Sequence, residues 1–382
     1  MILAVLGLAV AACTTQDVPS AAGSSGAPGT GGADQGGRGG SAGTAGQLSA
    51  GGQATSGMGG QFGAGAMAGS SVGTAGNAAG GAGDGVGGKD GGAGSSPGAG
   101  SAGVSGSAGN EGGAIPLKNP PVPSAGCGKP TTVTTGKKTI TSTGQDRTYI
   151  IDVPANYDMN KPYRLFYASH WIGSTSEAVR DQSYYFLKPL ASAANEPAIF
   201  VAPQADGATW QQKDHALFDD ILKYVKENLC IDTTRVFATG FSFGGMITYS
   251  LSVNHQKDIR AAVGIAPANY NIYLPAKTHE PIAWLQTTGM SDGTCPWVNG
   301  NSTTQGSKFI AIERGTDNGC SVPAAIPTWQ SGAHVCTDFP GCRPEYPTKV
   351  CTFNGGHTNI ANDPGSNTNW IPAESWKFFT QF

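Results

Sequence analysis

Gly240-Phe241-Ser242-Phe243-Gly244 is the stretch whose residue types and spacing could do chemistry. It places a serine between two glycines, directly after the apolar run Val236-Phe237-Ala238-Thr239 and directly before Gly244-Gly245-Met246. A serine on a sharp strand-to-helix turn has its hydroxyl lifted above a sheet edge. The tightness of such a turn calls for glycine at both flanks. The Phe243 backbone N–H then lies at a helix N-terminus, where it can face a developing oxyanion. A Gly-rich turn that merely contains a serine is the alternative.

A serine nucleophile needs a base, and the base needs an orienting acid. On this kind of elbow the chain order is serine, acid, histidine. Four of the six histidines follow Ser242: His255, His279, His334 and His357. His255 falls at the end of the helix after the elbow, away from the serine. His279 precedes a strand and so belongs to the opposite edge. His357 follows the last strand, in Asn354-Gly355-Gly356-His357-Thr358, where glycines let the backbone bring the imidazole over the sheet. His357 is the expected base, with His334 as runner-up. Asp292, in Gly289-Met290-Ser291-Asp292-Gly293, follows an apolar strand and is the expected acid. Asp317 and Asp338 are less well placed, and an Asp-Gly turn is the other reading of Asp292. A second oxyanion donor is expected in His170-Trp171-Ile172-Gly173, from the Ile172 N–H or else that of Trp171. Each donor would contribute about 3 kcal/mol of transition-state stabilisation. His170 itself reads as structural.

These residues need a scaffold. Lys138 to Thr143 and Arg147 to Val153 read as an antiparallel pair. Arg164 to Ser169, Ala198 to Ala202, Arg235 to Thr239, Arg260 to Ile265, Ile282 to Thr287 and Lys349 to Phe353 read as short buried strands. Between them Tyr184 to Ala194, Asp214 to Leu229, Gly244 to Val253 and Ser302 to Glu313 read as helices, and Pro372 to Phe382 closes the chain. Leu217, Ile221, Val225 and Leu229 recur every fourth residue, and Asp214 is a natural N-cap. Strands alternating with helices predict an α/β fold with a doubly wound, mostly parallel sheet.

The segments Pro154-Ala155-Asn156-Tyr157-Asp158, Lys161-Pro162-Tyr163-Arg164-Leu165, His170-Trp171-Ile172-Gly173, Phe200-Val201-Ala202-Pro203, Arg235-Val236-Phe237-Ala238-Thr239-Gly240, Gly355-Gly356-His357-Thr358 and Trp376-Lys377-Phe378-Phe379 carry a resemblance. From about Cys127 to Phe382 the chain resembles feruloyl esterases of carbohydrate esterase family 1 and the related polyhydroxybutyrate depolymerase-like esterases. The resemblance implies the α/β-hydrolase fold and hydrolysis of hydroxycinnamate esters, such as ferulate on plant arabinoxylan. Its catalytic triad falls on Ser242, Asp292 and His357. Trp210 falls where fungal members carry a Trp near the site. With Trp171 it is assigned to substrate binding, a core position being the other reading of Trp210. The chain departs from the pattern around Cys295-Pro296-Trp297. Acetylxylan esterase and polyester depolymerase are the rival activities. A non-catalytic polysaccharide-binding protein is the rival from another class, and a complete Ser, Asp and His set argues against it.

The remainder of the 382-residue chain is unlike this domain. Charged residues make up 13%, about half the usual share, and the net charge is −3. No basic run is present, so the sequence gives no support for a nucleic-acid partner. Most of the 59 glycines precede residue 115. Residues 14–126 read as a disordered Gly/Ala/Ser-rich linker without hydrophobic periodicity, ending in a Pro-rich junction. A Gly-rich coil of roughly 95 residues spans about 55 Å. Residues 1–13 are apolar up to Val10-Ala11-Ala12-Cys13 and resemble a bacterial lipoprotein signal peptide, with Cys13 the lipidated residue, although no Lys or Arg precedes the run. The expected place is therefore extracytoplasmic, secreted or anchored to the outer membrane by that lipid. About 250 residues remain for the esterase domain, 127–382. Its seven cysteines match no zinc spacing and allow at most three disulfides, at least one of them local to Cys320–Cys351. Triad hydrolysis needs no cofactor and no metal. The expected partner is an ester-bearing plant polysaccharide or a small hydroxycinnamate ester.

Overall fold

The computed structural model describes residues 118–382. The signal peptide, Cys13 and nearly all of the Gly-rich segment lie outside the described residues. Among the described residues nine strands form one sheet: β1 (Gly136–Ser142), β2 (Gln145–Asp152), β3 (Tyr163–Ser169), β4 (Ile199–Pro203), β5 (Ile231–Phe241), β6 (Ala261–Ile265), β7 (Ala283–Gly289), β8 (Val335–Asp338) and β9 (Thr348–Phe353). Their spatial order is β1-β2-β4-β3-β5-β6-β7-β9-β8. The inner run from β4 to β9 is parallel, while β1, β2 and β8 pair antiparallel at the two edges.

Alternation along the strands explains two cores. In β3, Leu165 and Tyr167 face one layer and Phe166 and Ala168 the other. The first layer is closed by α3 (Lys213–Asn228) and α4 (Phe243–Ser252), through Leu217, Ile221, Val225, Met246 and Ile247. The second is closed by α2 (Ser183–Ala193) and α6 (Ile371–Phe379), through Leu187, Phe378 and Phe379. Helices on both faces of a mostly parallel sheet, with α4 buried along its whole length behind β5, make this an α/β-hydrolase fold.

Several elements differ from the sequence reading, each for a local reason. Asp214 is not the N-cap of α3 but lies in its first turn. Its carboxylate accepts the Gln211 N–H at 2.5 Å and pairs with Arg147 at 2.5 Å, tying the helix to β2. The helix α5 runs Ser307–Asp317 rather than from Ser302. The Ser302 hydroxyl accepts the N–H groups of Thr304 and Gln305, which favours a turn over a helix. A helix α1 (Ser176–Asp181) precedes α2. The start of α2 is not right-handed: φ is 55° at Ser183, 55° at Tyr184, 57° at Tyr185 and 62° at Phe186. Such a turn is costly for residues with a Cβ. Here it places Tyr184 and Tyr185 in the core, and Tyr185 donates to the Ser169 carbonyl at 2.6 Å.

The folded unit starts before the expected residue 127. Asp232, in β5, accepts the Val122 N–H at 3.0 Å, and Ser124 donates to the Leu229 carbonyl at 2.7 Å. Three prolines make residues 119–126 a linker by composition, but the segment runs beside the start of β5, where the Val122 N–H donates to Asp232 and the Ser124 hydroxyl accepts the Ile231 N–H. Among the described residues three disulfides are present: Cys127–Cys230, Cys320–Cys342 and Cys336–Cys351. The last joins residues directly opposite in the β8–β9 register. The first spans 103 residues and fixes that N-terminal segment to the start of β5. In the chain-entropy account a loop of that size is worth about 4–5 kcal/mol. Replacing both Cys127 and Cys230 by Ala is expected to cost about that much in urea unfolding while leaving the active site intact in the cold. A loss below about 1 kcal/mol would mean that the bridge holds together nothing the unfolded chain had free.

Candidate active site

The end of β5 makes the elbow. Ser242 has φ 57° and ψ −122°, a conformation few non-glycine residues hold. Close approach of the backbone demands the flanking glycines. A Cβ on Gly240 would lie 2.3 Å from the Gly244 carbonyl oxygen, and one on Gly244 would lie 2.1 Å from that of Ser169. The turn is held by the Ser242 N–H donating to Ile265 of β6 at 2.9 Å.

Ser242, Asp292 and His357 meet in one chain of hydrogen bonds. His357 Nε2 is 2.7 Å from Ser242 Oγ, and His357 Nδ1 is 2.8 Å from Asp292 Oδ2. The other Asp292 oxygen accepts the N–H groups of Thr294 at 2.8 Å and Cys295 at 2.7 Å. The Asp292 side chain is fully buried. A carboxylate so held fixes the imidazole proton on Nδ1, which leaves Nε2 to accept the serine proton. The loops carrying acid and base are joined by backbone: Met290 N–H donates to Phe353, and Ser291 N–H to Gly355, each at 2.9 Å. Gly289 permits this, since a Cβ there would lie 2.3 Å from the Gly355 oxygen.

The other candidates are placed elsewhere. His334, the runner-up base, bonds Asp363 at 2.8 Å and stacks on Trp370. His255 faces Asp219 at 3.2 Å and His279 faces Asp317 at 2.9 Å. Asp317 also pairs with Arg314, and Asp338 is exposed near Lys349.

Phe243 is the first residue of α4, where N–H groups have no intrahelical acceptor. Ile172 lies in the turn after β3, beside the elbow because Ser169 pairs with Gly240. That turn is pinned from within. The ring of His170 is fully buried. Its Nε2 accepts the Ala205 N–H at 3.1 Å, so Nδ1 carries the proton and donates to the Trp171 carbonyl at 2.8 Å. Burial lowers the His170 pKa, keeping the ring neutral in this role. Trp210 takes the core position, the second of its two sequence readings. It is 3% exposed, packs in the core and donates from Nε1 to the His170 carbonyl at 2.7 Å, which braces the turn. Trp171 is half-buried and meets Phe241 edge-on at 6.0 Å. Phe241 covers the His357 ring at 4.8 Å. Sequence reasoning passed over Phe241, the variable residue of the elbow motif, although an aromatic there was a visible signal. Cys336, Cys351 and Glu374 converge elsewhere, but the two thiols form a disulfide and offer no metal ligand pair.

A strand-to-helix serine, a buried carboxylate and a bridging imidazole on this sheet define a serine carboxylic ester hydrolase of the α/β-hydrolase fold. The chain is 32% identical over 284 residues to feruloyl esterase D of Neurospora crassa, an alignment covering 70% of this chain and 94% of that protein. It is 36% identical over 262 residues to the probable feruloyl esterase C of Aspergillus flavus, covering 67% of this chain and 90% of that one. A ferulic acid esterase from Anaeromyces mucronatus, solved with ferulic acid, aligns with 65% of this chain and 89% of its own at 15% identity and a TM-score of 0.43. No family model matches. The chain belongs to the feruloyl esterase family.

Proposed function

We propose that this protein releases hydroxycinnamates from esterified plant polysaccharide or small esters through an acyl-enzyme. The observation that carries the reading is the unbroken chain from Ser242 through His357 to Asp292. Ser242 Oγ attacks the ester carbonyl while His357 takes its proton. The carbonyl oxygen, now negative, is held by the N–H groups of Phe243 and Ile172. His357 returns the proton to the leaving sugar hydroxyl, and the acyl group stays on Ser242. Water then attacks the acyl-enzyme by the same route, and the acid leaves. Asp292 keeps the imidazole in the right tautomer and stabilises its charged form. Trp171 and Phe241 supply aromatic surface for the phenyl ring.

The place of action is proposed to be outside the cytoplasm. Three disulfides support this, because such bonds persist in oxidising compartments. We further propose that residues 1–13 are an export signal with lipidation at Cys13, and that the Gly-rich segment tethers the esterase domain.

A panel of methyl ferulate, acetylated xylan and polyhydroxybutyrate tests the substrate. The expected result is that kcat/KM for methyl ferulate exceeds that for acetyl release by at least about tenfold, a difference of about 1.4 kcal/mol in transition-state binding. Faster acetyl release would favour an acetylxylan esterase, and equal rates on all three would end the hydroxycinnamate assignment.

A further inference from the structure

The left-handed run from Ser183 to Phe186 is costly, since each of its residues carries a Cβ. Outliers of this kind gather where a fold must aim particular groups. Here the run lies beside the esterase centre, and what it aims is the Tyr185 hydroxyl.

Strands β3 and β5 are paired as far as Ser169 and Gly240 and then part. From there β3 leads into the turn that carries the Ile172 N–H, and β5 into the elbow that carries Ser242. The Tyr185 hydroxyl sits in that fork. It donates to the Ser169 carbonyl at 2.6 Å, and its own oxygen accepts the Phe241 N–H. Burial pushes the Tyr185 pKa up, so the hydroxyl keeps the proton that it gives to Ser169. One buried group is thus bonded to the root of the oxyanion turn and to the residue before the nucleophile. Gln182, directly ahead of the run, reaches a third part of the centre. Its Oε1 accepts the Asn359 amide N–H at 2.6 Å, two residues beyond His357. Tyr184 shares the left-handed backbone but points elsewhere: its ring lies against Phe200 at 4.9 Å and its hydroxyl bonds Asp152.

We propose that Tyr185 and Gln182 are positioning residues of the esterase, Tyr185 setting the gap between Ser242 and the Ile172 oxyanion donor and Gln182 holding the loop of His357. Neither touches the substrate. Each acts through the placement of another group, and a misplacement of about 1 Å can cost about 100-fold at such a centre. The claim rests on the acyl-enzyme route proposed above and not on the identity of the acyl group, so p-nitrophenyl acetate serves as the substrate.

Tyr185→Phe keeps the ring and removes the hydroxyl. Its kcat is expected to fall at least about tenfold. KM should stay within about twofold, because acylation and deacylation use the same donors and the same base and slow together. Phenylboronic acid forms a tetrahedral adduct on Ser242 that puts an anionic oxygen on those donors, so its inhibition constant should rise by a similar factor. Gln182→Ala should lower kcat by about threefold or more, and Gln182→Glu, which keeps an acceptor for Asn359, should restore it. Tyr184→Phe is the matched control and should leave kcat within about twofold. A mere packing role would lower the urea midpoint in both tyrosine variants and leave kcat and boronate inhibition alone. A folded Tyr185→Phe with native kcat, or a Tyr184→Phe that loses as much, overturns the role of Tyr185. Native kcat in Gln182→Ala, or an equal loss in Gln182→Glu, removes Gln182. Where Tyr185→Phe does not fold, that result overturns the whole inference, since Gln182 is half-exposed and its replacement empties no core. A native protein that hydrolyses neither p-nitrophenyl acetate nor methyl ferulate would instead sink the acyl-enzyme route itself.

Discussion

Ser242→Ala is expected to lower kcat for methyl ferulate by about 10⁶-fold and to leave the fold untouched. The size follows from what the hydroxyl does. Ser242 Oγ is the only atom of the constellation placed to attack, being 2.7 Å from His357 Nε2. Without it the remaining groups can polarise a carbonyl but cannot form the acyl-enzyme, and a residual 10³–10⁴-fold over water is about what such groups retain elsewhere. Stability should hold because Ala keeps the same backbone demands: φ 57° and ψ −122° are strained for both residues. Urea midpoints should agree within about 0.5 kcal/mol, as for a substitution that removes no packed group. A fluorophosphonate should label the native protein and not the variant. Turnover within tenfold of the native rate would remove Ser242 from the mechanism, whatever the geometry around it.

The elbow was legible because its constraints are local. A buried strand, a serine between glycines and a helix behind them lie within about twenty residues, and chain order then narrows the acid and base. Asp292 and His357 were legible for the same reason: each sits just past a strand end. What sequence could not give was anything decided across the fold. Trp210 is an aromatic near the site in sequence terms, yet its indole N–H turns to the His170 carbonyl and its ring goes into the core. Residues 119–126 hold three prolines among small residues, a composition that by itself belongs to a linker; their partners include Asp232 and Arg235, more than 100 positions later. The left-handed start of α2 has no sequence signature either, since Ser183, Tyr184, Tyr185 and Phe186 are not residues that favour φ near +60°. Burial of the two tyrosines imposes it.

Gly244→Ala should be the most damaging small substitution in the domain, and the reason differs from the usual one for this motif. Glycine at 244 is not needed for an unusual φ, because its backbone is that of an ordinary helix turn. It is needed because a Cβ there would lie 2.1 Å from the Ser169 oxygen and 2.8 Å from that of His170. Both are backbone atoms, so no side chain can rotate away. Neither partner can yield cheaply. The helix α4 is buried at every residue. Ser169 is paired with Gly240 in the sheet, and its carbonyl accepts the Tyr185 hydroxyl at 2.6 Å. Relief would have to move the end of β3, and with it the turn that carries the Ile172 N–H. The expected cost is about 4 kcal/mol or more, at the far end of what single substitutions do. That is a large part of a typical domain's total stability. Gly293→Ala is the matched control, because a Cβ there meets nothing within 4 Å. It should change the urea midpoint by less than about 0.5 kcal/mol, although it adjoins Asp292. Gly245→Ala, 2.9 Å from the Ile265 oxygen, should fall between the two. If Gly244→Ala unfolds like Gly293→Ala, the close packing of α4 against the end of β3 is not what holds the elbow. If it folds with a lowered midpoint and kcat falls while KM stays, the displaced turn after β3 is the part that failed.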